Sequence, residues 1–251
     1  LQYTEIFNLH YYKMEKSAGW MFRYRGQIPF FLLLFIIPLV IRYNIPFAIH
    51  PWQRKFLMAF SLLLILSGTA FRFYITGYRL PHSSGRNRKN QVAESLNQLG
   101  AYAMCQHPLY FANFLLWVGI ALLSNHTLIV LGSIPLSLYI HFGLIRTEQS
   151  YLSQKFGDTY TVWSNKTPVF WPSLKTYKPN ENAFNAKRVF ATEYPTWVSV
   201  VVLSWGMIRL SYVNLETSLT WYGTDTLFLG AAFLVGLGGR FYKYVVLKKK
   251  V

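Results

Sequence analysis

The chain has 251 residues, 53% hydrophobic and only 14% charged; soluble domains carry about a quarter charged residues, so this protein's solvent reads as largely lipid. Its formal net charge is +16, from 25 Lys and Arg against 9 Asp and Glu. These charges flank apolar stretches instead of gathering on a polar face, which points to an anionic membrane surface and excludes nucleic acid as a partner. One cysteine, Cys105, excludes an internal disulfide, and no His-x-x-x-His or Cys-x-x-Cys spacing occurs, so no metal site is expected.

Six apolar stretches are predicted spans, at about 27–43, 56–78, 108–123, 127–145, 195–213 and 223–245. A crossing helix needs about 20 apolar residues. The third and fourth stretches are separated only by Ser124-Asn125-His126, which predicts a tight helical hairpin over 108–145. With both ends of the chain in the cytoplasm, 20 of the 25 basic residues fall on the cytoplasmic side, while Arg42, Arg54, Lys55 and Arg209 fall outside and Arg72 lies within the second span. That asymmetry follows the positive-inside rule. Trp20, Trp52, Trp197 and Trp221 sit near span ends, where amphipathic rings favour the interface, and Lys248-Lys249-Lys250 reads as an anchor to anionic lipid. The predicted architecture is an all-α, multi-spanning membrane bundle of about six helices. Residues 1–78 would hold the first spans, 79–194 a central unit with two polar loops, and 195–251 the last spans. The loop 146–194 carries Pro168, Pro172 and Pro179 and is expected outside the bilayer. The chain opens on Leu1, so nothing follows from the lack of a signal peptide.

The central unit carries the residues with chemical potential. Leu99-Gly100 offers a glycine turn, and His107-Pro108 a helix start in which proline fixes the backbone and loses only a donor that had no helical partner. A helix N-terminus also attracts anions, and His107 stands beside it to donate or accept. Glu148 is the only carboxylate between Glu94 and Asp158. At a membrane boundary it needs a partner, either a cationic group of a ligand or a local salt bridge with Arg146. Arg86, Arg88 and Lys89 beside Gly85 read as a solvated run touching lipid headgroups, or as a grip on an anionic substrate group. Gly236-Leu237-Gly238-Gly239 lacks the preceding strand of a nucleotide loop and reads as small residues for helix packing. Cys105 reads as a packing residue.

Gly100-x-Tyr102, then Gln106-His107-Pro108-Leu109-Tyr110, then Glu148-Gln149-Ser150-Tyr151-Leu152 and Phe156-Gly157-Asp158-Thr159-Tyr160 together resemble the isoprenylcysteine carboxyl methyltransferase and phospholipid methyltransferase superfamily of integral membrane enzymes. The likeness runs over about 83–172, with Trp163, Pro168, Phe170 and Pro172 suiting its ending. It implies S-adenosyl-L-methionine as cofactor, in a cytoplasmic pocket between the His-Pro-x-Tyr helix start and the Glu after the hairpin. Carried over by position, Asn97, Gly100, Tyr102, His107, Pro108, Leu109, Tyr110 and Glu148 become cofactor contacts. Arg146 and Arg86 become candidates for the substrate's anionic group. The pattern's Arg before His-Pro is Gln106 here, and its second Glu is Gln149.

The resemblance further implies a membrane-lipid substrate and residence in a membrane, here the bacterial inner membrane. The Ser-Gly-Arg-Asn run and the spans after 194 resemble a bacterial branch that methylates a lipid A phosphate. The alternatives are a prenylcysteine carboxylate, a phosphatidylethanolamine nitrogen, a sterol-reductase-like enzyme with a nicotinamide, and a non-enzymatic transporter or scaffold.

Overall fold

The computed structural model describes residues 38–40, 42, 43, 45–80, 83, 93–213 and 223–246. Helices form almost all of its regular structure, as the apolar spacing predicts. The elements are α1 Pro51–Tyr78, the single turn α2 Ala101–Met104, α3 Pro108–Leu123, α4 Thr127–Ser164, a 3-10 turn Leu174–Thr176, α5 Ala186–Val213 and α6 Gly223–Phe241, which runs on into a π-helical turn Tyr242–Val246. Most of the first predicted span, the Arg86–Lys89 run and Lys248–Lys250 lie outside the described residues.

α1 begins five residues before the predicted span, at Pro51, whose ring presets the helical φ. The Gln53 side chain closes that start by accepting from the His50 N–H at 3.0 Å. Arg54 and Lys55, expected in an outer loop, therefore belong to the first turn of α1, and Arg54 Nε donates to the Ala48 carbonyl at 3.2 Å. α1 lies against α3 at close range because small residues line the contact. A Cβ on Gly68 would stand 2.9 Å from the Ala112 carbonyl oxygen, and one on Gly119 2.8 Å from Ile65 Cγ1. In lipid, where water drives no association, backbone approach of this kind supplies the packing energy. Ile65, Leu116, Ala121, Leu123 and Ile129 fill the core around it.

The predicted hairpin is present and forms a capped corner. Asn125 adopts φ 48°. Its side chain accepts from the Ala48 N–H at 2.8 Å and donates to the Ala48 carbonyl at 3.3 Å, while His126 Nε2 meets the Tyr43 carbonyl at 2.7 Å. α4 does not stop near 145. It continues through Arg146 and Glu148 to Ser164 and breaks direction at Gly157, whose φ of 51° only glycine adopts without strain. The proline-rich stretch that follows, 165–185, is the true loop.

α5 packs across α1 and α3, and α6 packs on α5. A Cβ on Gly239 would run into the ring of Tyr194, and one on Gly236 would stand 3.6 Å from Val198 Cγ2, so the glycine run does serve helix packing. Between α1, α3 and α5 lies a buried polar network. Arg72 Nε and Nη2 donate to both carboxylate oxygens of Glu193, at 2.8 and 3.0 Å. Arg72 Nη1 donates to Asn113 Oδ1, and Thr76 Oγ1 donates to Glu193 Oε1 at 3.1 Å. The Arg72 and Glu193 side chains are 10% and 4% exposed.

α1 and α4 are long and apolar enough to cross a membrane; α3 is apolar but shorter, at 16 residues. Phe56, Leu63 and Leu66 on α1, Leu131 and Tyr139 on α4, and Leu227, Phe233 and Leu234 on α6 are all exposed, as side chains facing hydrocarbon would be.

Removing one partner of a buried ion pair strands the other, which costs about 3–5 kcal/mol, whereas replacing both by apolar side chains is far milder. Arg72→Met is therefore expected to lower the thermal unfolding midpoint in detergent sharply, and Arg72→Met with Glu193→Leu to recover most of it. Additive losses in the double variant would show that the pair does not join the helices.

Candidate cofactor site at one end of the bundle

The end of α1, the start of α3, the middle of α4 and the start of α5 meet at the bundle end opposite the hairpin, and the segment 93–107 threads between them. Gly100 turns there with φ 61°. Three backbone bonds then bind this segment to the proline-rich loop. Gly100 N–H donates to the Lys178 carbonyl at 2.8 Å, Ser173 N–H to Met104 at 2.9 Å and Gln106 N–H to Pro168 at 2.8 Å. Phe170 from the same loop is buried against the rings of Phe111, Phe114 and Phe142, plugging the space between α3 and α4. The prolines keep the loop extended so that its carbonyls reach the segment.

Asn97 and Tyr102 line a cleft of about 290 Å³ at this end, together with Tyr74, Arg79, Asn180 and Glu181. Asn97 Oδ1 accepts from the Leu80 N–H at 2.8 Å. Gly100 closes one edge, where the Asn180 side chain fills the space a Cβ would take. Burial pushes the Tyr102 phenol above the ordinary tyrosine range; the nearby Arg79 cation opposes that shift and the Glu148 charge adds to it. Tyr102 thus stands between the cleft and Glu148.

The second group surrounds the start of α3. Pro108 is buried at its first position, and His107 is the N-cap. His107 Nδ1 lies 3.4 Å from Glu148 Oε2, at ion-pair distance. This is the partner the boundary carboxylate needs. Arg146 is not placed to serve: two residues along a helix is a turn of about 200°, and Arg146 is exposed. His107 Nε2 is buried and meets no protein group. Tyr110 stacks on the His107 ring, with centroids 5.7 Å apart. Leu109 packs with Tyr102, Phe71 and Tyr74 around Ile75 and Ala112. The N–H groups of Tyr110 and Phe111 both turn to the His107 carbonyl, at 3.1 and 3.2 Å, so the imidazole rather than the helix end carries the polarity here.

The sequence-predicted residues therefore gather in two adjoining places. Asn97, Gly100 and Tyr102 frame the cleft; His107, Pro108, Tyr110 and Glu148 form the buried pair and its support, with Leu109 packed between. Arg146 joins neither, and Arg86 lies outside the described residues. Sequence reasoning missed Tyr74 and Arg79 at the end of α1 and Asn180 and Glu181 in the loop. The run of polar residues after Pro179 was their only local sign.

Two outcomes test this geometry. Gly100→Ala drives a methyl group into Asn180 and forces an unfavourable φ, so cofactor affinity should fall at least about tenfold while the helical circular dichroism is kept; unchanged affinity would show that the turn does not shape the cleft. Cys105 is fully buried, and desolvation pushes its thiol up to about 12. Thiolate forms only as pH approaches that value, so iodoacetamide labelling of the folded chain should stay negligible from pH 7 to 9 and appear on denaturation. Labelling of native protein that rises across pH 7–9 would contradict this burial.

Residues 56–159 match the family model described as phospholipid methyltransferase. The chain is also similar to the cobalt-zinc-cadmium resistance protein CzcN of Cupriavidus metallidurans, 27% identical over 128 residues, which cover 51% of this chain and 54% of that protein. The nickel-cobalt-cadmium resistance protein NccN of Alcaligenes xylosoxydans xylosoxydans is 29% identical over 128 residues, covering 51% and 55%. The alignment thus spans about half the length of these relatives, and no solved structure matches the chain. The matched segment takes in most of α1, the Gly100 turn, the His107-Pro108 start and Glu148, so the resemblance is borne out as a match of residues 56–159 to the phospholipid methyltransferase model.

Proposed function

We propose that this protein transfers a methyl group from S-adenosyl-L-methionine to a membrane lipid, with a lipid phosphate such as that of lipid A as the acceptor. The observation that carries the cofactor reading is the His107–Glu148 pair. It puts a carboxylate from within α4 3.4 Å from the buried imidazole that caps α3, whose other nitrogen, Nε2, meets no protein group. A buried polar atom without a partner costs free energy unless a ligand meets it. Next to it, the cleft offers Asn97, Asn180 and Tyr102, a mixed aromatic and amide lining that suits a nucleoside.

S-adenosyl-L-methionine, when bound, supplies an electrophilic methyl group. The chain's own residues do the rest by position. With Nδ1 toward Glu148, neutral His107 presents Nε2 as an acceptor, and as imidazolium it presents a donor. Glu148 accepts from hydroxyl or ammonium groups. Tyr110 fixes the imidazole plane by stacking, and Phe170 with its ring neighbours keeps water from the α3–α4 side. An oxygen nucleophile that is already anionic needs alignment and desolvation but no strong base, and these residues offer none in an obvious position. In this reading Arg146, exposed on α4, is left to meet lipid headgroups, and Arg86 to grip the substrate anion.

The same reading takes the chain as a bundle of about six spans in the bacterial inner membrane, with the site and both ends of the chain in the cytoplasm. The names of the two relatives speak of metal resistance, and that adds nothing to this assignment. A lipid-modifying enzyme also fits the exposed apolar faces of α1, α4 and α6, which would let a lipid reach the site from within the bilayer.

Incubation of the purified protein with methyl-labelled S-adenosylmethionine and fractionated membrane lipids tests the proposal. Label is expected in a phosphate-bearing glycolipid and is expected to vanish with Glu148→Ala, folded as judged by gel filtration. Label in phosphatidylethanolamine or a prenylated peptide would replace the acceptor, and absence of label in every fraction would refute the methyltransferase reading.

A further inference from the structure

The residue immediately before His107 is Gln106, 5% exposed, and its amide is fully used. Nε2 donates to the carbonyls of Ser164 at 2.9 Å and Thr167 at 2.7 Å. Oε1 accepts from Gln149 Nε2 at 2.9 Å and from the Tyr160 hydroxyl at 3.4 Å. Two carbonyls on one end fix which end is nitrogen, so the amide has a single workable orientation. The Gly157 break brings Tyr160 and Ser164 back to this point, because a straight α4 would carry them away along its axis.

Gln149 follows Glu148 in α4. Two cross-links therefore run side by side in opposite directions, Gln106 to Gln149 and His107 to Glu148. The first is a neutral amide pair held at normal hydrogen-bond length; the second is a looser contact at 3.4 Å between a buried imidazole and a half-buried carboxylate. Positions 106 and 149 are also the two places where this chain departs from the family pattern of Arg before His-Pro and a second Glu. The two departures are opposite ends of one contact.

We infer that Gln106 and Gln149 are positioning residues, a neutral rung that holds His107 and Glu148 in register for the cofactor. The inference rests on the cofactor reading above. A single exchange breaks the rung. Gln106→Arg buries a guanidinium without a counter-ion, and Gln149→Glu sets a second carboxylate beside Glu148 and against the Gln106 oxygen. Joint exchange restores a pair, since an arginine donates to Ser164, Thr167 and a glutamate alike.

The test is a double-exchange cycle on the full chain in detergent, read by thermal unfolding midpoint and by equilibrium binding of S-adenosylhomocysteine. Each single variant should bind at least about tenfold more weakly, and Gln106→Arg with Gln149→Glu should return to within about threefold of the parent. Should Gln106→Arg fail to fold, Gln106→Ala with Gln149→Ala gives the same cycle with no buried charge. Additive effects would overturn the rung. Coupled midpoints with unchanged binding would overturn its role at the site and leave the cofactor reading intact. Parent protein that fails to bind S-adenosylhomocysteine would remove the cofactor reading and this inference with it.

Discussion

A guanidinium inside a bundle of membrane helices has to be met on every side, and the Arg72–Glu193 network meets it. Glu193 takes both ends of the fork, Asn113 takes a third donor, and Thr76 fills the carboxylate's remaining space. The three helices that supply these groups, α1, α3 and α5, can satisfy them in only one mutual register, since sliding any of them by a turn strands a charge. Just beyond the network, α1 ends at Tyr78, α3 begins at Pro108 and α5 begins at Ala186. The cleft and the His107–Glu148 pair are built from those ends. Apolar packing at Gly68 and Gly119 brings α1 and α3 close, but the network selects the register.

From this follows a division of labour along the bundle axis. The hairpin end is closed by backbone and amide bonds that join 43–48 to 124–127 across the fold. At the opposite end the segment 97–107 threads between the helices and is tied to the proline-rich loop, among other contacts by three backbone bonds. It leaves a cleft, a buried imidazole nitrogen and a half-buried carboxylate in reach of one another. What sets this end apart is that its unpartnered imidazole nitrogen lies beside a carboxylate and a cleft.

Much of this was readable in the chain because it is written in local patterns. Ser124-Asn125-His126 between two apolar runs announced the hairpin, His107-Pro108 announced the start of α3, and Gly100 announced a turn, to which the fold gives a positive φ. The extent of α4 was not readable, because Arg146, Glu148 and Lys155 look like loop residues until the helix is seen to carry them past the apolar segment. The partner of Glu148 was not readable either. Arg146 is its neighbour in sequence, yet helical geometry turns it away, and the partner is a histidine 41 positions earlier. The same holds for Asn180 and Glu181, which reach the cleft only through long-range pairing of the loop with Gly100 and Met104. Motif spacing pointed to these candidate residues, and tertiary contacts decide which of them lie together.

The central claim is that the cofactor sits between the cleft framed by Asn97 and Tyr102 and the His107–Glu148 pair. Ultraviolet cross-linking of methyl-labelled S-adenosylmethionine to the purified protein, followed by peptide mapping, tests it most directly. The account predicts label within 97–110 or around Glu148, suppressed by S-adenosylhomocysteine. Label confined to α5 or α6, or none that S-adenosylhomocysteine suppresses, would contradict it.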